Sequence, residues 1–282
     1  MEFLLDGDRV KIRQSFSSPT IYFDHWALCE FSDNPDLQNK LIEIISKKKG
    51  TFIISQINLV EFSKMDDPKH AKSAEIFLDR LMPNVYMADF SSLDQIVEFE
   101  LKKLKKSISL PPDLITLKIL GDRCIALSSK LSFDGFINLS YLNRFSLREI
   151  LHKTAEEIAD SFIKYKADQT FVKKSLQSRP DLERPKTYVI MGELMRDITI
   201  NTNQSIKIND VIDLQHAILP ICYCDYVLLD GAWEQRVKNM HNRIAKQNIN
   251  LKTAKCFSKK NNGIHNFLAD LDNFENSSQS FS

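Results

Sequence analysis

The sequence predicts an α/β protein: a three-layer α/β/α arrangement around a mostly parallel central sheet, interrupted by an all-helical insertion. Three observations carry this expectation. Short β-branched and aromatic runs alternate with amphipathic helical stretches near both ends of the chain. Residues 91–204 carry helical periodicity, with no convincing strand. Alternation then resumes, so both ends of the chain contribute to one sheet, whose crossover helices cover both faces.

Residues 1–18 read as an N-terminal extension. TIYFD, residues 20–24, is a short buried strand ending on a carboxylate. Residues 36–48 form an amphipathic helix with Leu37, Leu41, Ile44 and Ile45 on one face, ended by Gly50. TFII (51–54) is a second strand. Ser55 or Asn58 then caps a helix running to about Met65, and Pro68 and Lys69 open another that reaches Met82. Residues 85–87 are a third strand, so 19–90 make the first half of a domain. Its second half is 205–275. There, 211–218 is helical, 226–229 is a strand followed by Asp230, 232–246 is a helix, 251–257 a strand and 264–274 a last helix. The polar tail 276–282 has the composition of a disordered segment.

With 282 residues and 43% hydrophobic content, the chain can bury a core for one large domain or two small ones. A net charge of +1 gives no basic excess for a polyanion, so a basic face has to come from uneven placement of charge. No apolar run reaches the length of a membrane span, and MEFLLDGDRVKIRQ lacks a signal-peptide core. A cytoplasmic protein without a membrane partner is expected. Cys29, Cys124, Cys222, Cys224 and Cys256 are scattered, unlike the paired clusters of zinc sites, and read as reduced structural thiols.

The chemistry is expected from four carboxylates. Ligands of open parallel sheets bind at the carboxyl ends of the strands. Asp24 and Asp230 lie at such ends by construction. Helices run antiparallel to the strands and begin at the same edge. Glu61 is expected in the first turns of one helix and Asp213 in the first turn of another. Clustered carboxylates repel one another unless a cation joins them, and oxygen-rich sites suit Mg²⁺ or Mn²⁺. Such ions support phosphodiester cleavage. Each acid also has a plainer role: Asp24 and Asp230 as turn residues, Glu61 and Asp213 as capping-box partners of Asn58 and Asp210.

IYFDHWAL (21–28), SQINLVEF (55–62), DVIDLQHAILP (210–220) and CDYVLLDGAWEQRV (224–237) together resemble the PIN-domain family. The resemblance covers roughly residues 19–90 and 205–275. It maps the family's acids onto Asp24, Glu61, Asp213 and Asp230, and the D-x-x-H of Asp213 to His216 is particularly like family members. Two departures stand out. Residues 91–204 are an elaboration suited to a lid, a substrate channel or a partner surface. Leu228 and Leu229 stand where many members have Thr or Ser before the last Asp, which makes Asp225 and Asp210 candidate substitutes or helpers, with a strand start and a helix cap as their plainer roles. The resemblance implies a metal-dependent endonuclease of single-stranded nucleic acid, RNA before DNA, using Mg²⁺ or Mn²⁺. It also implies a toxin or defence effector, with an antitoxin or other protein as partner. A homo-oligomer is compatible with the sequence.

Further candidates surround this site. Trp26, Trp233 and Tyr22 offer stacking surfaces for bases, with core packing as the plainer role. Lys102, Lys103, Lys105 and Lys106 could track phosphates or form a solvated helix face, and Arg236 could approach a phosphate or sit on the surface. His25 and His216 are candidate metal ligands or general bases, His216 more simply a packed side chain behind Asp213. Two other readings compete: a PIN-like module without catalysis that binds nucleic acid or protein, and a phosphatase, disfavoured because no D-x-D follows the first strand.

Overall fold

The computed structural model describes residues 1–6, 9–62, 67–90, 93–102, 110–127 and 130–275. A hairpin of β1 (Glu2–Asp6) and β2 (Arg9–Arg13) occupies the N-terminal extension. Five further strands follow: β3 (Thr20–Phe23), β4 (Thr51–Ser55), β5 (Val85–Ala88), β6 (Tyr226–Leu228) and β7 (Lys255–Phe257). They form one sheet in the order β5-β4-β3-β6-β7, with every neighbouring pair parallel.

Strand side chains alternate between faces, and each face is apolar because each is covered. Ile21, Phe23, Phe52, Ile54 and Leu228 point to one side. There they meet α1 (His25–Asp33), α2 (Pro35–Lys48), α4 (Lys69–Leu81) and α13 (Gly263–Asp272), through Phe31, Ile45, Phe77 and Phe267 among others. Tyr22, Ile53, Tyr86, Val227 and Leu229 point to the other side. These pack with α5 (Leu93–Lys102), α8 (Arg144–Ala167), α10 (Lys186–Ile200), α11 (Ile208–Tyr223) and α12 (Gly231–Lys246). The result is a three-layer α/β/α fold.

The segment 91–204 is helical through α5, α6 (Leu114–Ala126), α7 (Phe136–Leu142), α8, α9 (Gln169–Gln177) and α10. Among its described residues the one β contact is an isolated bridge between Ala88 and Pro112. These helices do not stand apart from the sheet. Ile96, Phe162, Ile190 and Leu194 belong to the same core as Tyr22 and Val227, so α5, α8 and α10 help build the second layer.

Several boundaries differ from expectation. β3 stops at Phe23, and Asp24 caps α1, a helix the sequence reading did not separate from its strand. α3 (Gln56–Glu61) ends at Glu61, and Met65 lies outside the described residues. α11 starts at Ile208, which moves Asp213 to its second turn. β7 is confined to Lys255–Phe257, with 251–254 irregular. The tail 276–282 also lies outside the described residues. All five cysteines are free. Among the described residues, no helix is long and apolar enough to cross a membrane.

The strand order locates the ligand crevice. From β3 the chain moves outward to β4 and β5, then returns to add β6 and β7 on the opposite side. The carboxyl ends of β3 and β6 therefore flank the topological switch point.

Candidate metal centre

The register Phe23↔Leu228 sets the ends of β3 and β6 side by side, and the Asp24 amide donates to Leu228 O at 2.9 Å. Asp24 leaves the strand in extended conformation, and its Oδ1 accepts from the His25 amide at 2.6 Å. The next strand places Glu61. Ser55 ends β4 and caps α3. Asn58 Oδ1 accepts from the Ser55 amide and Asn58 Nδ2 donates to Phe23 O, both at 2.9 Å. Buried Asn58 thus joins the ends of β3 and β4 and fixes the start of α3. Glu61 follows three residues later, on the same face of the helix. The capping box is made by Ser55 and Asn58, so Glu61 has no part in it.

α11 brings the third element. Asp210 performs the capping expected of it, accepting from the Lys207 amide at 2.9 Å. Asp213 and His216 lie three residues apart and so share one helix face. His216 is fully buried, and its Nε2 lies 3.2 Å from Glu61 Oε2. Its Nδ1 meets the Tyr22 hydroxyl at 2.5 Å. Ligand atoms of Asp24, Glu61 and His216 all lie within 4.8 Å of one another.

Electrostatics ties the other two acids to this trio. Burial pushes the Asp24 carboxyl well above the usual carboxylate range. Glu61 and then Asp213 add to the rise, Asp230 contributes less, and the His25 amide opposes it. All four acids named from the sequence therefore act on one locus. Asp230 also caps α12, its Oδ1 accepting from the Ala232 and Trp233 amides at 2.8 Å. Burial above all keeps the Tyr22 phenol protonated, with help from the charges of Asp24 and Glu61. Nearby Cys29 is held as a thiol by burial and then Asp33, its pKa pushed up to about 12.

The donor set fits a divalent cation. Carboxylate oxygens suit Mg²⁺ and Mn²⁺, and an imidazole nitrogen favours Mn²⁺ of the two. Tyr22 supplies the outer contact that orients a ligating imidazole. Its hydroxyl both donates and accepts, so it supports either tautomer of His216.

His216 is the residue that sequence reading undervalued. The usable signal was the spacing of D-x-x-H on a helix. Glu234 was not singled out either: it lies one turn after Asp230 and accepts a hydrogen bond from the buried Ser258 hydroxyl. Other candidates move away from the chemistry. Tyr22 and Trp233 are fully buried, so neither offers a stacking surface. Arg236 is neither a surface residue nor a free phosphate contact: it is buried, 3.4 Å from Asp197 and 3.9 Å from Asp210. Lys102 pairs with Glu98, whereas Lys103, Lys105 and Lys106 lie outside the described residues. Asp225 sits at the opposite end of β6, bound to Thr20.

Comparison of the chain with protein families, with curated proteins and with solved structures finds no match.

Proposed function

We propose that this protein is a metal-dependent endonuclease of PIN type, acting on single-stranded nucleic acid and on RNA in preference to DNA. One observation carries the reading. Asp24, Glu61 and His216 present ligand atoms within 4.8 Å of one another at the switch point of a parallel sheet, and Asp213 and Asp230 act on the same point. So much negative charge in a buried place is costly unless a cation is held there.

Asp24, Glu61 and His216 would hold Mn²⁺ or Mg²⁺, with Asp213 and Asp230 completing the acidic rim. The ion supplies Lewis-acid chemistry, activating water for attack on a phosphodiester and offsetting charge on the phosphate. The chain does the positioning. Asn58 fixes Glu61 against β3, and Tyr22 fixes the His216 ring. Asp24 retains a proton at its carboxyl to higher pH than an exposed aspartate does. The choice of RNA, and a role as toxin or defence effector with a protein partner, rest on the family resemblance.

A second reading, a PIN-like binding module without catalysis, draws on Asp230, one of whose oxygens is committed to capping α12. One experiment separates the two. Purified protein is incubated with single-stranded RNA and DNA oligonucleotides in Mn²⁺ or in EDTA. Mn²⁺-dependent cleavage abolished by Asp24→Asn and by Asp213→Asn supports the nuclease. Cleavage unchanged in both variants removes this site from the chemistry, and no cleavage of either polymer leaves the binding module.

A further inference from the structure

A cavity of about 660 Å³ opens beside the acidic rim, within the roughly 300–1,000 Å³ usual for small-ligand sites. His25 and Trp26, at the start of α1, line one wall. Asp230 and Gly231 line it at the start of α12, and Lys259 and Lys260 line it from the loop after β7.

The charges in this lining are not equivalent. Glu30 is matched by Lys259 at 2.7 Å, and Asp33 by His70 at 2.6 Å. Asp230 Oδ1 is engaged by two amides. Among the described residues, the Lys260 ammonium has no acidic partner. Its side chain lies across Gly231, where an added Cβ would meet Lys260 Cε at 2.6 Å and Nζ at 3.0 Å. Glycine therefore lets a cation rest over the N-terminus of a 16-residue helix, whose dipole is positive at that end. The rings of His25 and Trp26 and the Lys260 ammonium thus line one and the same space.

We propose that this cavity binds one nucleotide of the single-stranded substrate, adjoining the phosphate to be cut. Its phosphate sits at the Lys260 ammonium, because the capping amides of α12 are already taken by Asp230, and its base lies against Trp26. The inference rests on the nuclease reading above and assigns the substrate subsite of that same centre. Asp230 repels a bare anion from the same floor, which makes Lys260 the required counter-charge.

The test is calorimetric titration of the full chain, in EDTA, with adenosine 5′-monophosphate and with inorganic phosphate. The nucleotide is expected to bind more tightly than phosphate. Lys260→Ala should weaken nucleotide binding about tenfold, the loss of one charge-assisted contact. Gly231→Ala should weaken it in the same direction by displacing the ammonium, at little cost to the fold because a flexible side chain gives way. Trp26→Leu should bring nucleotide affinity down to that of phosphate. A nucleotide that does not bind, or binds equally well to the Lys260→Ala protein, overturns the assignment. Neither metal nor cleavage enters this measurement. Nucleotide binding without Mn²⁺-dependent cleavage therefore counts against the nuclease reading alone, and cleavage without nucleotide binding counts against the cavity alone.

Discussion

Replacing Asp24 by Asn should stabilise the metal-free protein while removing its response to metal. The change is nearly isosteric, and an amide oxygen can still accept from the His25 amide, so the cap on α1 survives. What disappears is one negative charge held by burial beside Glu61, Asp213 and Asp230. The folded carboxyl titrates well above its unfolded value of about 3.9. Between those two values the native state keeps a proton that the unfolded chain has lost. Stability therefore falls as pH rises through this window and levels off above the native pKa. For one proton the steepest slope is about 1.4 kcal/mol per pH unit, or roughly 2–3 °C in Tm for a chain of 282 residues. The contribution of Asp24 is read as the difference between wild type and variant, since other groups titrate in the same range. Asp225 is not one of them: although burial raises it, its bonds from Ser18 and Thr20 and the charge of Lys252 hold its carboxyl below the usual range, so it titrates below this window. Thermal melts between pH 4 and 8 in chelator should show the variant gaining on wild type as pH rises. Mn²⁺ at a hundred times its Kd should add about 2.7 kcal/mol to the wild type and far less to the variant. A variant that melts below wild type at pH 7 in chelator, or gains as much from Mn²⁺, would refute the reasoning.

Three further substitutions probe the supports of the site. Tyr22→Phe removes the hydroxyl at His216 Nδ1 and should weaken Mn²⁺ binding about 10- to 100-fold in calorimetry, the usual cost of losing such an orienting contact; unchanged affinity would leave Tyr22 a packing residue only. Asn58→Ala cuts the link between the ends of β3 and β4 and should cost about 1–3 kcal/mol in urea unfolding, with Mn²⁺ affinity falling as well because Glu61 loses its anchor. Gly263→Ala would place a Cβ 2.0 Å from Ser258 O, against backbone that cannot swing aside. It should lower stability by about 1–3 kcal/mol, and a neutral result in the same unfolding assay would show that the turn into α13 is looser than it looks.

Local chemistry made parts of the site legible. Asp24 and Asp230 each follow a short apolar run, so their place at strand ends is encoded by immediate neighbours. Asp213 and Glu61 could be placed because helices of a parallel sheet start at the edge where strands end. His216 was not legible in the same way. On the apolar face of α11 it looks like any packed side chain, and its partner Tyr22 lies 194 residues away. Arg236 was opaque for the same reason, its acid Asp197 being on another helix. Periodicity predicts helices between 91 and 204, and the described residues there form them. It could not show that Phe162 and Ile190 cover the sheet, because an amphipathic pattern marks an apolar face without naming what lies against it.

The pairing of β3 with β6 also sets when, during synthesis, the protein becomes what it is. Asp24 and Glu61 leave the ribosome before Asp213, His216 and Asp230, with about 150 residues between Glu61 and Asp213. The strand that seats Asp230 beside Asp24 must close a loop of some two hundred residues before the two meet. A growing polypeptide therefore carries two acids without their counterparts while residues 62–212 are made. On the proposed nuclease reading, no complete acidic centre exists until Asp230 has been made.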